Sequence, residues 1–405
     1  MSGLRTIDAA LADVLARCRV LPAEEVAVRD ALGRVLAVPA TAVSDLPPFD
    51  SSAMDGYAVR AADVAGAAAD SPVTLEVTGE AAAGDTAERS VAPGRCVRIL
   101  TGALLPAGAD AVVPVEWTDG GTTRVRITRP AEPGHAIRRA GGDARPGDLL
   151  LPAGTRLGAA QIGVLAAAGH GDVLARRRPR LTVIATGNEL APPGSPLVPG
   201  MIWDSNSYML AAAARGLGCQ VTRHPTLRDD PDAVLDALRR AAARADVLVT
   251  SGGVSMGGEH DVVKAALAAL GSVTFRRVAM QPGMPQGFGL LGPSATPVFT
   301  LPGNPVSAFV SFTLFVTPAV RALQGLKGER AGRRTARLAG PVRSPEGKRS
   351  FLRAVLGPQD GQVTALTGQN SHQIAELARA QALIVVPEPV TGLPAGALVE
   401  LIELP

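Results

Sequence analysis

A glycine-rich turn that also carries acidic side chains follows an apolar run in the second half of the chain. The run Asp246–Thr250 leads into Ser251-Gly-Gly-Val-Ser-Met-Gly-Gly-Glu-His-Asp261, and a helical pattern follows directly. Such a turn between a buried strand and a helix start exposes backbone N–H groups that can hold a phosphate. Glu259 and Asp261 beside a phosphate imply a cation between them. The segment therefore predicts one wall of a site for a phosphorylated ligand and a metal ion.

Two more turns combine glycine, proline and small polar residues where predicted strands end. They are Thr186-Gly-Asn-Glu-Leu190 and Leu301-Pro-Gly-Asn-Pro-Val-Ser307. Pro305 suits a first helical turn and Ser307 lies close to a free helix end, so both turns can present N–H groups to an anion. The residues predicted to contact the ligand from the three turns are Thr186, Gly187, Ser251, Gly252, Gly253, Ser255, Gly303, Asn304 and Ser307. Neither the P-loop pattern nor GxGxxG occurs, which disfavours ordinary nucleoside triphosphate and dinucleotide folds.

Between residues 179 and 327, apolar strand patterns alternate with amphipathic helix patterns. Predicted strands cover Leu181–Thr186, Cys219–Thr222, Asp246–Thr250, Val273–Met280 and Pro297–Leu301, and predicted helices cover Ser207–Leu217, Pro231–Ala245, Asp261–Leu270 and the residues up to Leu323. This alternation predicts a mostly parallel sheet covered by helices on both faces. Ligands of such sheets lie off the carboxyl ends of the strands, where all three turns fall.

The rest of the chain is predicted to form three further parts. Residues 1–44 with 144–178 form a mixed helical and linker domain, 45–143 an inserted β-rich domain, and 328–405 a separate C-terminal β domain. Helices are expected over 6–20, 24–36 and 159–168. The basic run Arg176–Arg180 is interpreted as a solvated linker.

The composition bounds the class of protein. The 405 residues carry 40 basic and 37 acidic side chains, a formal charge of +3, with 46% hydrophobic and 3% aromatic residues. Aliphatic cores in several domains fit these figures, and the scattered charges lack the basic stripe of a nucleic-acid binder. The cysteines Cys18, Cys96 and Cys219 are widely separated, which argues against a disulfide framework or a zinc site. With no apolar leader and no run of about 18 apolar residues, we expect a cytoplasmic protein without a membrane span.

The inserted β-rich domain also contains polar residues of chemical interest. Asp50 and Asp55 lie in a segment rich in small residues, Thr101 follows a predicted strand, and Asp143 lies at the exit of the domain. For Asp50, capping a turn is as strong an interpretation as a functional role. Carboxylate oxygens suit Mg²⁺, whose shell is completed by water and substrate phosphate. Scattered histidines and the lack of a nucleophile elbow disfavour acyl transfer through a covalent intermediate.

Seven segments, in order along nearly the whole chain, resemble one family: molybdopterin molybdenumtransferase, which is related to the C-terminal domain of gephyrin. The segments are Phe49-Asp-Ser-Ser-Ala-Met-Asp-Gly-Tyr-Ala58, Thr101-Gly-Ala103, Gly108-Ala-Asp-Ala-Val-Val113, Asp204-Ser-Asn206, Ser251-Gly-Gly-Val-Ser255, Leu301-Pro-Gly-Asn-Pro-Val-Ser307 and Gly368-Gln-Asn-Ser-His372. A coincidence in seven ordered segments is improbable, so the resemblance is specific.

The resemblance implies an elongated homodimer of four domains, in which a three-layer α/β domain binds molybdopterin and a β-barrel-like domain ends the chain. It implies insertion of molybdenum from molybdate into adenylylated molybdopterin, dependent on Mg²⁺, with release of AMP and molybdenum cofactor. Contact with the molybdopterin adenylyltransferase and with acceptor molybdoenzymes follows from the same resemblance. Carried onto this sequence, it gives catalytic roles to Asp55, Thr101, Asp143, Glu189 and Asp229, metal binding to Glu189 and Asp261, and pocket-shaping roles to Pro302 and Pro305.

Several residues depart from the family's pattern. Gln281 and Met284 stand where members commonly have lysine. The attraction for an anion is therefore weaker there, or is supplied by Arg276, Arg277, Lys348 or Arg353. Lys348 itself replaces an arginine, which loses a bidentate contact to an oxyanion. The segment 256–261 is one residue longer than usual and leaves Glu259 and Asp261 as alternatives for the acidic position.

Two other functions fit parts of the sequence. A nucleotide-cofactor hydrolase could use the same α/β domain, although the inserted β-rich domain is not expected there. A non-catalytic scaffold could retain the fold, and the loss of both lysines favours that reading while Asp55 and Glu189 oppose it.

Overall fold

The computed structural model describes residues 4–252, 262–269, 273–326, 333–357 and 361–404. The chain forms two compact units. The first consists of Met1–Glu24, Gly33–Ala37 and Leu174–Pro405, and the second of Glu25–Leu32 and Val38–Val173. The chain passes from one unit to the other after Glu24, Leu32, Ala37 and Val173; the first of these points lies in the strand Ala23–Ala27 and the last in the strand Asp172–Arg176.

A six-stranded sheet is the centre of the first unit. Its strands lie in the order Gln220–Arg223, Arg180–Ala185, Val247–Ser251, Thr296–Leu301, Pro285–Leu291 and Val273–Arg277. The first four are parallel to one another, and Pro285–Leu291 is antiparallel to both of its neighbours. The mostly parallel sheet is confirmed, and its parallel strands end within about one residue of their predicted positions.

Helices cover both faces of this sheet because successive strand residues point to opposite sides. Val247 and Val249 contribute to a core shared with one group of helices, whereas Leu248 contributes to a core on the other face. The helices packed on the first face are Ile7–Leu15, Asn206–Gly216, Pro305–Ser311 and Thr317–Leu323, and those on the second are Pro231–Ala242 and Val262–Ala269. This is the expected three-layer α/β arrangement.

A closed β-barrel occupies the end of the chain. Its strands run in the order Arg349–Leu356, Gln362–Ala365, Arg333–Leu338, Leu398–Glu403 and Ala382–Val386, and the last pairs again with the first. The short strand Met280–Gln281 extends the sheet in parallel with Arg349–Leu356. Closure satisfies the backbone groups that an open sheet edge would expose. The remaining elements here are the pair Val342–Arg343 and Gly392–Leu393 and the helix Ile374–Arg379.

The second unit contains a five-stranded sheet. Its order is Ala111–Pro114, Gly56–Val59, Arg95–Ile99, Val73–Ala81 and Arg124–Ile127. Short strands, the helices Ala61–Val64 and Ala159–Ala167 and two 3₁₀ turns complete the unit, the strands being Ala40–Thr41, Ser51–Ser52, Ile137–Arg138 and Leu149–Leu151. The β-rich character predicted for residues 45–143 is confirmed, whereas the domain limits drawn from the sequence stay predictions.

The predicted helix over residues 24–36 is wrong. Residues 24–36 are not a helix: they contain part of the strand Ala23–Ala27 and only one 3₁₀ turn, Val28–Asp30. Gly33, with a φ of +74°, interrupts any helix, and the backbone of Val35 instead accepts a hydrogen bond from the N–H of Arg176. A local pattern cannot foresee a partner 141 residues away in the chain.

The strand Pro285–Leu291 was missed because its glycines are typical of a loop. Gly287 is required by packing, since a Cβ there would lie 1.9 Å from the Thr300 hydroxyl and 2.8 Å from the Phe275 ring. The glycine therefore allows a tight approach of three strands rather than a turn. The predicted strand Val273–Met280 ends at Arg277, because the chain leaves the sheet there and Met280–Gln281 pairs with the barrel strand Arg349–Leu356.

The predicted solvated linker at Arg176–Arg180 is also wrong. Arg177 donates two hydrogen bonds of 2.8 Å to the carboxylate of Asp246, and the backbone N–H of Arg180 donates another of 2.8 Å. Burial by itself would raise the pKa of Asp246, but the hydrogen bonds from Arg177 and Arg180 outweigh it and lower the pKa to about 2. The basic run thus fixes the start of the strand Arg180–Ala185.

Because the pKa of Asp246 is depressed in the folded protein, its contribution to stability is present above its unfolded pKa and is lost as the pH falls through about 2. We expect the wild-type protein to exceed Asp246→Asn in free energy of unfolding by about 2 kcal/mol near neutral pH. The difference should shrink between about pH 4 and pH 2. Denaturant unfolding across pH measures it. Asp236→Asn, in an exposed ion pair with Arg240, is the control and should change stability by under about 1 kcal/mol. A difference that persists below pH 2 would rule out this origin.

Among the described residues, one helical stretch, Pro305–Leu323, is long and apolar enough to cross a membrane by length and composition alone. About 67% of it is buried inside the protein. A turn of π-helix, Phe312–Val316, joins its two α-helical parts. Its apolar side chains belong to the core on one face of the α/β sheet, which accounts for its composition.

Candidate functional site

Three loops meet at the carboxyl ends of the parallel strands in the first unit. The N–H of Thr186 donates to the carbonyl of Ser251 at 3.3 Å, and the N–H of Gly252 donates to the carbonyl of Leu301 at 3.2 Å. The first loop is thereby joined to the second, and the second to the third. The three turns lie side by side, as a parallel sheet requires.

Asn206 ties two of these loops together. Its Nδ2 donates to the hydroxyl of Ser251 at 2.7 Å and to the carbonyl of Gly303 at 2.6 Å. The residue is the first of the helix Asn206–Gly216. It was not among the predicted site residues, although its segment Asp204-Ser-Asn206 contributed to the family resemblance. That segment was the signal by which it could have been found.

The position of Asn206 is set by a buried carboxylate. Asp204 is only 1% exposed and accepts hydrogen bonds from the N–H of Ser207 at 3.0 Å and from its hydroxyl at 2.5 Å. The hydroxyl of Thr226 donates a third bond at 3.2 Å. A carboxylate that accepts an N–H from the first turn of a helix fixes where the helix begins. Asp204 therefore orients the side chain that joins the loops.

Glycine is required where the loops approach most closely. Gly252 has a φ of +92°, and a Cβ there would lie 2.9 Å from the carbonyl oxygen of Thr186. Gly303 brings its own backbone to the same place, since a Cβ on it would be 3.8 Å from the Cα of Gly252. The loops therefore meet through bare backbone, and the N–H groups of Thr186 and Gly252 are used to join them.

Two carboxylates lie on neighbouring loops of this edge. The carboxylate of Glu189 lies against Gly187, where a Cβ would be only 2.5 Å from it. Asp229 accepts a hydrogen bond from the N–H of Asn188 at 3.2 Å and returns one from its own N–H to the Asn188 side chain at 3.2 Å. Asn188 thus joins Asp229 to the loop that carries Glu189, and the roles of the two carboxylates stay predictions.

The residues predicted to bind Mg²⁺ are Glu189 and Asp261, of which only Glu189 is described. Within the described ranges no group of three or more His, Cys, Asp or Glu side chains is clustered. Mg²⁺ commonly uses one or two carboxylates and completes its shell with water and substrate phosphates, so Glu189 could serve as one such ligand. The predicted residues Gly253, Ser255 and Asp261, with Glu259, lie outside the described residues and stay predictions.

A second group of polar residues adjoins the third loop. The side chain of Asn304 donates to the Ser371 hydroxyl at 3.0 Å, and the N–H of Val306 donates to the Ser371 carbonyl at 3.0 Å. Pro305 begins the helix Pro305–Ser311, as predicted, and Pro302 is buried beside it. Ser371 was not a predicted site residue, although its segment Gly368–His372 was part of the resemblance.

Of the four cations proposed to replace the family's lysines, only one contacts the 281–285 loop in the described part of the chain. Arg277 places Nη2 3.5 Å from the sulfur of Met284. Arg353 is 1% exposed and donates to the carbonyl of Gly368 at 3.1 Å, and burial lowers the pKa of its guanidinium. Arg353 is thus committed to holding a loop, and Arg277 is the cation that adjoins the altered position.

In the second unit, Asp55 and Thr101 form a hydrogen-bonded pair. One oxygen of Asp55 accepts from the N–H of Thr101 at 2.7 Å and from its hydroxyl at 2.8 Å. These two bonds, the backbone one first, lower the pKa of Asp55 and keep it ionised. The catalytic role that the resemblance gives to each of the two residues stays a prediction.

The other carboxylates of this unit have different surroundings. Asp50 accepts from the N–H of Ala140 at 2.8 Å and from Arg139 at 2.6 Å, and both bonds lower its pKa. This favours the turn-stabilising interpretation of Asp50. Asp143 is exposed and donates its own N–H to the carbonyl of Leu46 at 2.9 Å. It is not part of the hydrogen-bonded pair formed by Asp55 and Thr101.

The fold is that of a multidomain α/β protein in which three glycine-containing loops meet at the carboxyl edge of a mostly parallel sheet. Sequence comparison agrees: residues 5–169 match the family described as the MoeA N-terminal region (domain I and II), residues 182–322 the probable molybdopterin binding domain, and residues 335–404 the MoeA C-terminal region (domain IV). The chain belongs to the molybdopterin molybdenumtransferase family, whose members are transferases of molybdenum cofactor biosynthesis.

Individual relatives support this assignment over the full length. The chain is 43% identical to molybdopterin molybdenumtransferase 2 of Mycobacterium tuberculosis (strain ATCC 25618 / H37Rv), over 97% of each chain. It is 40% identical to molybdopterin molybdenumtransferase 1 of the same strain, over 93% of each. The crystal structure of a molybdopterin biosynthesis MoeA protein from Pyrococcus horikoshii OT3 matches with a TM-score of 0.84 and 28% identity, over 99% of this chain and 100% of that one. The resemblance inferred from seven segments is confirmed, and so is the fold class.

Proposed function

We propose that the protein inserts molybdenum from molybdate into adenylylated molybdopterin and releases AMP and molybdenum cofactor. The observation that carries this proposal is the meeting of three glycine-containing loops through bare backbone at one edge of the sheet, locked by Asn206. Such an edge suits a ligand with a pterin ring and a phosphate group, because it offers N–H donors without bulky side chains.

The chain's own residues would act mainly by charge and position. Breaking a phosphoanhydride requires its negative charge to be neutralised, and backbone N–H groups near Gly252 and Gly303 are fixed in advance for that task. Glu189 and Asp261 would hold Mg²⁺, which when bound supplies further neutralisation of phosphate charge. Asp55 with Thr101 and the exposed Asp143 are the candidate catalytic residues of the second unit. Holding molybdate beside the dithiolene of the pterin is a matter of positioning.

Molybdate is assigned to the 281–285 loop. The family's lysines are replaced there by Gln281 and Met284, and Arg277 lies beside Met284. A guanidinium provides hydrogen-bond donors and a positive charge for an oxyanion. Comparing the dependence of product formation on molybdate and on tungstate would measure the preference between the two oxyanions.

Arg277→Gln should therefore weaken apparent molybdate affinity about tenfold, because one charge-assisted contact is lost. Met284→Lys in the same background should restore most of the affinity. The molybdate dependence of product formation measures both. Arg239→Gln, an exposed arginine on the helix Pro231–Ala242, is the matched control. Unchanged molybdate dependence in Arg277→Gln would remove Arg277 from the site.

The reaction itself is tested with purified protein, adenylylated molybdopterin, Mg²⁺ and molybdate. The proposal expects molybdate-dependent AMP release together with activation of a cofactor-free molybdoenzyme, and loss of both when Mg²⁺ is removed by a chelator. Absence of AMP release at every molybdate concentration would favour the scaffold. AMP release that needs no molybdate and activates no acceptor would favour the hydrolase, although the match over residues 5–169 includes an N-terminal region that such an enzyme is not expected to have.

We further propose that the protein is a cytoplasmic homodimer that contacts the molybdopterin adenylyltransferase and acceptor molybdoenzymes. Three free cysteines, Cys18, Cys96 and Cys219, suit a reducing compartment. A sedimentation measurement tests the dimer, and co-purification with the adenylyltransferase tests the first contact.

A further inference from the structure

A cleft that opens to solvent lies in the first unit, on residues other than those of the three loops. The helix Ile7–Leu15 and its flanking residues form one side, and the edge strand Val273–Arg277 with its neighbour Pro285–Leu291 forms the other. All of its lining residues belong to the described part of the chain. Neither the predicted catalytic residues nor the loop residues contribute to it.

The base of the cleft is aromatic. Phe288 is half-buried, while Phe299 and Phe315 are 2% and 4% exposed and back the cleft from the core. The rings of Phe288 and Phe299 have centroids 5.0 Å apart. Their planes are inclined at 46°, and because Phe299 and Phe315 are buried, Phe288 is the ring of the three that is partly exposed to a ligand in the cleft.

The rim of the cleft is cationic. Arg5, Arg17 and Arg276 line it, with Asp13 as the one carboxylate among its lining residues. Asp13 is engaged by Arg5 at 2.5 Å. Arg17 and Arg276 are exposed, and within the described ranges neither forms an ion pair. Two guanidinium groups therefore face an apolar base without a compensating charge, an arrangement that attracts anions.

We propose that this cleft binds a small organic anion with a flat ring and a phosphate or carboxylate group. The ring would pack on Phe288, and the anionic group would accept hydrogen bonds from Arg17 and Arg276, whose planar guanidinium groups match the geometry of phosphate and carboxylate oxygens. The site shares no residue with the three loops, and its Arg276 precedes Arg277, the residue assigned to molybdate.

The test is isothermal titration of the full chain with phenyl phosphate as the probe. We expect one binding event that Arg17→Gln and Arg276→Gln each weaken about tenfold, the loss of one charge-assisted contact. Phe288→Ala should weaken it as well, and benzyl alcohol and inorganic phosphate, which each lack one half of the probe, should bind at least tenfold more weakly. Arg239→Gln and Asn206→Ala should leave the affinity unchanged.

Each other outcome overturns the proposal. No binding of phenyl phosphate, or binding unaffected by both cleft arginines, means that the cleft is not the site. Equal affinity for inorganic phosphate means that the aromatic base plays no part. Weakening by Asn206→Ala, with the cleft variants unchanged, would place the probe at the three loops. Because Arg17 and Arg276 are exposed, their variants should unfold at the wild-type temperature, which a thermal scan checks.

Discussion

Asn206→Ala should lower the rate of molybdenum transfer about 100-fold. The amide of Asn206 donates to both the Ser251 hydroxyl and the Gly303 carbonyl, so its loss releases the contact between two of the three loops. A displacement of about 1 Å in groups that position a substrate can reduce rates by about that factor. The loss should appear in kcat as well as in KM, because the same loops would hold the reacting phosphate. Steady-state AMP release measures both constants.

The matched control is Ser205→Ala, one residue earlier. Ser205 is exposed and its side chain makes no capping bond to the helix that Asn206 begins. Its variant should react like the wild type. Asn206→Asp is a further comparison: it keeps the size of the side chain but faces the Gly303 carbonyl with an acceptor, so it should be no better than alanine. Wild-type kinetics in Asn206→Ala would show that the loops keep their positions without this residue.

Gly252→Ala should weaken binding of adenylylated molybdopterin about 10- to 100-fold. The φ of +92° is unfavourable for any residue with a Cβ, and the added atom would lie 2.9 Å from the Thr186 carbonyl. Strain of this kind is worth about 1–3 kcal/mol, and the loop relieves it by moving away from its neighbour. The N–H groups would then no longer converge. Equilibrium titration with the substrate in the absence of molybdate measures the affinity.

Gly216→Ala provides the control. Gly216 is the last residue of the helix Asn206–Gly216, and a Cβ on it would meet nothing within 4 Å. This substitution should leave substrate binding unchanged and should stabilise the protein slightly, since alanine favours a helix over glycine by about 1 kcal/mol. If Gly252→Ala binds the substrate as tightly as Gly216→Ala, the close approach of the loops is not needed for binding.

The α/β core was predictable from sequence because its signals are local. Strands such as Val247–Ser251 are continuous apolar runs, and the helix Pro231–Ala242 has both an Asp230 cap and a proline in its first turn. Period and capping depend on neighbours in the chain, so they can be interpreted without a fold. The parallel order then brings the three turns to one edge.

Other elements depend on contacts that the chain's local pattern does not encode. Residues 24–36 have helix-forming side chains, yet Val35 bonds to Arg176, far along the chain. The glycines of Pro285–Leu291 suggest a loop, but Gly287 lies in a strand because Thr300 and Phe275 leave no room for a side chain. The basic run Arg176–Arg180 is held at the start of a core strand because Arg177 and the N–H of Arg180 donate hydrogen bonds to the carboxylate of Asp246.

The sequence by itself determined the family, the main sheet and the three loops, because ordered motifs and strand patterns can be recognised without knowing the distances between atoms. It predicted roles for Glu189, Asp229, Asp55 and Thr101. The segments that contain Asn206 and Ser371 contributed to the family resemblance, but neither residue was assigned a role. Only the tertiary structure decided that Asn206 joins two loops, that Arg353 is buried in a structural contact and that Arg277 adjoins Met284. A hydrogen bond joins atoms by distance and direction, and those are fixed only when strands far apart in the chain pack together.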